Sequence, residues 1–289
     1  MVGFNGGLGI LGKEGSFLKL ASGLTCPCDR PDPVPAFQYD QPPEGETRFH
    51  GSGQIYRRGY HRCRHCGHWS ADIQMDLTDF YRGGYMDGTY GLRMQETFRR
   101  ILTLPPERSD NTARVHRVLK FAEDLWGKGK SPSLLDVGSG LAVFPLRMRE
   151  AGWKVTALDP DPRAALHARE QAGVQAIHAD FLEYEPGEDD QFDMISMNKV
   201  LEHVKNPVAM LARALRWIQS GGVAYLEVPD ASAERLGPGR EEFFIEHLHV
   251  FSPESLRLVI EKSGWTPLKI TPLREASGKF TLAGFAKNK

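Results

Sequence analysis

Four cysteines, three acids at the ends of successive apolar runs, and a histidine-rich stretch near the C-terminus are the residues of this 289-residue chain whose types and spacing could do chemistry. The cysteines fall into two clusters, Cys26-Pro-Cys28 and Cys63-Arg-His-Cys66-Gly67. Paired clusters, the second a CxxCG knuckle behind the strand-like stretch GQIYRRGYHRC, have the spacing of a tetrathiolate zinc site. Four thiolates leave no open position for a substrate, so such a metal supplies folding energy to a module too small for a core of its own. A CxC pair reaches one metal less comfortably than CxxC, which leaves His61, His65 or His68 as a substitute ligand. Those histidines are better explained as exposed polar residues on a ribbon.

The acids mark a different chemistry. SLLDVGSGLAVFPLRM, residues 133 to 148, is an apolar run that breaks into Gly-Ser-Gly before a helical pattern resumes. Gly138 and Gly140 let the backbone turn sharply and let a ligand touch main chain, while the helix starting near Ala142 offers unpaired N–H groups. A dinucleotide site needs a third glycine where Val143 stands, and a Walker loop is absent. Instead Asp136 precedes the glycines. Asp159, in VTALDPD, follows Gly140 by nineteen residues, where its carboxylate can accept hydrogen bonds from both hydroxyls of a ribose. Asp180, in HADFLEY, ends the next run beside Phe181, a pair suited to the amino group and ring of adenine. One such acid is an ordinary solvated turn residue; three at successive strand ends are harder to dismiss as that.

Those positions require a particular scaffold. Short apolar runs at SLLDVG, KVTALD, VQAIHAD, FDMISMN, VAYLEVP, TPLKITPL and KFTLAGFA alternate at first with helix-like segments. That alternation predicts a mostly parallel sheet covered on both faces, with the last two runs as an antiparallel edge hairpin. The expected fold is α/β, a seven-stranded Rossmann-like doubly wound sheet with a small N-terminal zinc-binding module. Ahead of it, DLTDFYRGGYMDGTYG has the composition of a ligand-facing loop or of packed turns. Asn111 is placed to cap a helix whose stripe of Val115, Val118, Leu119, Ala122, Leu125 and Trp126 packs on a neighbour. The expected division is a flexible glycine-rich lead-in over 1–20, the zinc module over 21–76, a connector and substrate cap over 77–130, and the ligand-binding domain over 131–289.

A formal charge of -1 and a pI near 6.8 give no global attraction to nucleic acid or anionic lipid. Locally, five arginines (Arg48, Arg57, Arg58, Arg62, Arg64) and four histidines lie between Thr47 and Ala71 without one acid. No stretch of eighteen apolar residues exists to span a membrane. Lys13 and Glu14 interrupt an N-terminus that lacks a basic start, so a secretory signal is not expected and the location read from the sequence is cytoplasmic.

Residues 133 to 287 resemble the class I S-adenosylmethionine-dependent methyltransferases. The resemblance rests on LLDVGSG, LDPD, HADF and FDMISMNKVLEHVKNP, with Ala142 where a third glycine is frequent. It implies that Asp136, Gly138 and Gly140 hold the amino-acid part of the cofactor, Asp159 the ribose, and Asp180 with Phe181 the adenine, with Asn198 beside the methyl donor. A hydroxyl acceptor must lose a proton, and two Glu-His pairs are candidates for that work: Glu246-His247, with His247 as general base, and Glu202-His203. Together with the cysteine clusters, EHLHVFSPESL is similar to sugar methyltransferases that carry a zinc-binding N-terminal domain. That likeness implies a small-molecule acceptor, a nucleotide-linked or glycan sugar, whose diphosphate would suit the ribbon arginines. Phe244 stands where carbon-methylating members carry tyrosine, which leaves hydroxyl and amine more open. Two other classes remain: an RNA methyltransferase gripping phosphates with the basic ribbon, and a non-catalytic cofactor-binding subunit.

Overall fold

Two sheets organise the computed structural model, which describes residues 24, 26–46, 55–73, 75, 93–187 and 190–288. The lead-in, Arg48 and the YRGGYMDGTYG stretch lie outside the described residues. The smaller sheet comprises β1 (Pro33–Tyr39), β2 (Arg58–Cys63) and β3 (Trp69–Ile73), joined antiparallel in that order. The larger contains β4 (Ser133–Val137), β5 (Lys154–Asp159), β6 (Gln175–His178), β7 (Phe192–Asn198) and β8 (Ile218–Pro229). A two-residue strand, β9 (His249–Val250), completes the smaller sheet by pairing with β3. Two further strands, β10 (Thr266–Arg274) and β11 (Phe280–Lys287), complete the larger.

The larger sheet runs β10-β11-β8-β7-β4-β5-β6. Strands β4 to β8 are mutually parallel, β11 is antiparallel to β8, and β10 pairs antiparallel with β11. Seven strands with a terminal hairpin therefore form the mixed sheet that the apolar runs predict. Burial on both faces explains why these strands read as nearly continuous apolar runs. Leu135, Ile195 and Leu226 point into one core with Trp217 and Trp265, while Leu134, Met194 and Tyr225 enter another with Val118 and Phe285.

Helices α1 (Met94–Leu102), α2 (Asp110–Trp126), α3 (Val143–Glu150), α4 (Pro162–His167), α5 (Pro207–Arg213) and α6 (Pro253–Lys262) flank the sheet. The cap of α2 corrects the sequence expectation: Ser109 accepts from the Thr112 N–H at 3.2 Å, so the helix starts before Asn111. Leu125 is exposed and does not join the apolar stripe, because the buried positions centre on Val118 and Ala122. At α6, Ser252 and Ser255 form a reciprocal capping box with Pro253 in the first turn, as SPESL suggests.

Strand β9 ties the two halves of the chain together. Trp69 pairs in register with Val250 and Ser70 with His249, while the ring of Phe243 meets those of Trp69 and Phe37 at centroid distances of 4.9 and 5.0 Å.

Candidate functional site

The site opens at the carboxyl ends of β4, β5 and β7. Each strand delivers its last polar residue to the rim of a cavity of about 1230 Å³. After β4 the chain turns through Gly138 at φ +70° and Gly140 at φ +48°. A Cβ at position 138 would stand 2.8 Å from a methyl of Val200, so close approach as well as conformation requires glycine there. Ala142 also adopts a left-handed conformation, at φ +53°, where it caps α3. A side chain there carries a strain of about 1 to 2 kcal/mol that glycine would not.

Asp136 and Asp159 are both buried, at 2% and 6% exposure, the first tying β4 to β7 and the second tying the glycine turn to the end of β5. Asp136 Oδ1 accepts from Ser196 Oγ at 2.5 Å and from Asn198 Nδ2 at 2.9 Å. Burial lifts its carboxyl to about 7 against the pull of those bonds and of Arg114. Asp159 accepts from the backbone N–H of Gly140 and of Asp161, each at 2.9 Å, and burial raises its proton affinity too. The carboxylate expected to grip a ribose thus also holds the glycine turn in shape. Asp180 is exposed and accepts from the Leu182 N–H at 2.8 Å. Phe181 lines the cavity but is buried against the core, its ring stacked on Trp217 with 5.7 Å between centroids.

Two buried polar atoms on this rim, Ser139 Oγ and Asn198 Oδ1, have no hydrogen-bond partner. Buried polar atoms are nearly always satisfied. Their orphan state, beside two buried carboxylates and an open glycine turn, fits a ligand bearing both donor and acceptor groups, as the amino-acid end of S-adenosylmethionine does.

Sequence reasoning missed Arg114 of α2, which also lines the cavity. Its guanidinium donates to Glu227 Oε2 at 2.6 and 2.9 Å, while Arg117 and Tyr225 donate to Oε1 at 2.9 and 2.5 Å. Burial opposes ionisation of Glu227, yet the Arg114 guanidinium holds it at about 2. Only charge at helical spacing on α2 hinted at this, and the helix therefore contributes to the site as well as to packing.

The histidine candidates assemble differently from expectation. His203 lies on a single 3₁₀ turn, Leu201–His203, not a longer helix, and it lines the cavity. His247 stands behind it, with ring centroids 5.0 Å apart. His203 Nδ1 bonds the carbonyl of Glu246 at 2.8 Å, and His247 Nδ1 bonds that of Glu242 at 3.0 Å. Burial pushes His203 down to about 4, and burial with the neighbouring His203 pushes His247 well below its ordinary value. Both rings are therefore neutral at pH 7. Glu246 is buried. Glu202 is fully buried with both carboxylate oxygens unpartnered, and burial lifts it to about 8.

In the smaller sheet the four cysteines converge. Sγ separations are 3.4 Å for Cys26–Cys28, 3.2 Å for Cys26–Cys66 and 3.7 Å for Cys28–Cys63. These are far beyond the disulfide bond length of about 2.05 Å and near the roughly 3.8 Å edge of a tetrahedron with 2.3 Å metal–sulfur bonds. The CxC spacing is thus no obstacle. His68 is not a substitute ligand, since its ring bonds His249 at 3.0 Å and Ser255 at 3.3 Å.

The ribbon arginines correct another expectation. Arg58 is buried in an ion pair with Glu46, Arg62 meets Glu234 and Arg64 meets Asp32, both at 3.6 Å. Glu46 lies outside the acid-free stretch and takes Arg58 out of reach of a phosphate, while Arg62 and Arg64 stay largely exposed. Among the described residues no helix is long and apolar enough to cross a membrane.

Comparison with known proteins matches a methyltransferase-domain family model over residues 106–270. The ubiquinone biosynthesis O-methyltransferase of Sodalis glossinidius is 31% identical over 123 residues, covering 40% of this chain and 47% of that protein. An uncharacterised methyltransferase of Mycobacterium avium is 34% identical over 115 residues, 37% of this chain and 45% of that protein. The chain thus spans about half the length of these curated relatives. Among solved structures, the 1,6-didemethyltoxoflavin-N1-methyltransferase of Burkholderia thailandensis, with S-adenosylhomocysteine bound, aligns with a TM-score of 0.54 at 19% identity. It covers 85% of this chain and all of that one, a likeness of fold.

Proposed function

The chain belongs to the methyltransferase-domain family, and from that premise we propose that it carries the methyl group of S-adenosylmethionine to a small-molecule acceptor. The observation that carries this reading is the pair of orphaned buried atoms, Ser139 Oγ and Asn198 Oδ1, set beside Asp136 and the open Gly138–Gly140 turn.

When bound, S-adenosylmethionine supplies an electrophilic methyl group on a positively charged sulfur. Asp136, with Ser139 and Asn198, receives the ammonium end of the cofactor, and the Arg114 guanidinium lies on the same cavity for its carboxylate. Asp159 accepts the ribose hydroxyls, and Asp180 with the exposed edge of the Phe181 segment bounds the base. These residues bind and align, which is most of what an in-line methyl displacement asks of a protein.

The acceptor side is a sugar, nucleotide-linked or part of a glycan. The cavity, at about 1230 Å³, exceeds the usual 300 to 1,000 Å³ of a single ligand site, leaving room for a second molecule. His203, on the cavity wall, takes up the acceptor proton at Nε2 as a neutral imidazole, its Nδ1 held by the Glu246 carbonyl and its ring backed by that of His247. Of the two candidate pairs, His203 is thus the base that meets the acceptor, and His247, expected as the base, is the ring that supports it. The four cysteines hold a structural zinc, which when bound supplies folding energy to the smaller sheet.

Calorimetry should detect binding of S-adenosylhomocysteine, abolished in Asp136→Ala. Mass spectrometry should then find one added methyl on a member of a nucleotide-sugar panel, with turnover lost in the His203→Ala and His247→Ala variants. Absence of cofactor binding would overturn the proposal; transfer to RNA with steep salt dependence would move it to the other acceptor class.

A further inference from the structure

The segment that carries Glu246 and His247 has almost no secondary structure of its own, yet its backbone is tied at nearly every peptide. Irregular backbone that is buried must find partners for its N–H and C=O groups, and here several of them come from the N-terminal strands and from Glu46, which precedes β2. The Tyr60 hydroxyl lies 2.5 Å from the His247 carbonyl and 3.1 Å from that of Phe244. The Ile245 N–H donates to Glu46 Oε1 at 2.9 Å, and the same carboxylate is paired with Arg58, both side chains being 1% exposed. The Arg58 guanidinium in turn lies 3.8 Å over the ring of Tyr39. The Leu248 carbonyl accepts from Ala71 N at 2.9 Å, one residue before β9 joins β3. From the opposite side, the Leu248 N–H donates to the Glu202 carbonyl at 2.7 Å, and His203 bonds the carbonyl of Glu246.

We propose that the N-terminal sheet is a brace for the histidine segment, and that Tyr60 and Glu46 are positioning residues that fix the His247 ring against His203. Neither residue lines the cavity, so both act through the backbone of residues 244 to 247. A buried pair such as Glu46–Arg58 is costly to desolvate and is often no better for stability than apolar packing. Its added contact to Ile245 gives it a different role, because the charge fixes the height of one peptide. The inference rests on the proposed part of His247 in turnover, but the brace itself can be tested apart from turnover.

The decisive variant is Tyr60→Phe, which keeps the ring and deletes the hydroxyl. The His247 ring is faced by His203, Glu202, Lys199 and Lys279 and bonded to the Glu242 carbonyl, so its ring proton signal in NMR, identified by its loss in His247→Gln, reports its surroundings. In Tyr60→Phe that signal should titrate closer to the ordinary histidine value of about 6.5, with S-adenosylhomocysteine affinity within about twofold and turnover down about tenfold, a loss in kcat and not in the cofactor KM. Glu46→Gln, which keeps the shape but not the charge, should do the same and serves if Tyr60→Phe fails to fold. A titration identical to the parent protein's in the folded variants overturns the brace whatever the turnover. A shifted titration with full turnover overturns the claim that the braced ring takes part in the reaction. Full activity in His247→Ala would instead defeat the role proposed for His247 and leave the NMR result to judge the brace alone.

Discussion

The proposed cofactor side and the proposed acceptor side of this cavity are built by opposite strategies. On the cofactor side every proposed residue except Arg114 of α2 ends a strand or closely follows one, so the sheet sets most of the geometry: Asp136 and Asn198 come from neighbouring strands β4 and β7 and bond each other at 2.9 Å. On the acceptor side the ring pair stands on a 3₁₀ turn and an irregular segment held by contacts such as Tyr60–His247 and Glu46–Ile245, which are 187 and 199 residues apart in sequence. A site on rigid strands can be kept by local rules; one on a tied loop depends on every tie.

The largest effect that could break this contrast is loss of the ring pair. His203→Ala with His247→Ala should lower turnover by about 10² to 10⁴, the usual worth of a positioned acid-base group, while calorimetry shows the cofactor affinity unchanged. If affinity falls with turnover, the two sides are not separable. Metal removal comes next. Metal analysis should find one zinc per chain, and Cys66→Ser should lose it; because Ser252 Oγ donates to the Cys66 carbonyl at 2.5 Å just beyond β9, turnover should fall tenfold or more while cofactor binding persists. A metal-free protein with full turnover would cut the acceptor side loose from the knuckle. Asp159→Ala should act in the reverse sense, weakening cofactor affinity by about 10 to 100 times, the worth of hydrogen bonds to a charged group, with kcat preserved at saturating cofactor.

The smallest effect concerns pH. Glu202 has its proton affinity raised from the ordinary 4.5 to about 8. Between those values the unfolded chain has lost a proton that the folded chain keeps, so stability falls as pH rises through that window. Glu202→Gln should remove the fall. Thermal unfolding of the two proteins should coincide near pH 4 and diverge toward pH 8, the variant being more stable by about 1 to 3 kcal/mol. A constant difference at all pH values would show that Glu202 stays ionised in the fold.

The same contrast explains what was legible in the sequence. Strand runs, the glycine turn and the strand-end acids are patterns with a period or a fixed offset, and a parallel sheet converts such offsets directly into neighbours. Asp136, Asp159 and the seven strands could therefore be read from spacing. The cap of α2 was misplaced by two residues because Ser109 and Asn111 are both good caps, and only the Thr112 N–H decides between them. Arg114 was missed because its meaning lies in Glu227, 113 residues away. Arg58 was misjudged for the same reason, since Glu46 reaches it from outside the basic stretch. His247 was read as the base ahead of His203 because nothing in NKVLEHV indicates that a 3₁₀ turn brings the His203 ring onto the cavity wall.

The two residues of β9 also govern the order in which the molecule can be made. Strand β3 ends at Ile73 and its partner begins at His249. At about 5 to 20 residues per second on the ribosome, the early strands wait on the order of ten seconds or more before that edge exists. Over that interval Trp69 and Phe37 lack the Phe243 ring that later covers them. A nascent chain whose early strands form first would thus present an aromatic, half-finished sheet edge, and its yield should then depend on chaperone supply and growth temperature.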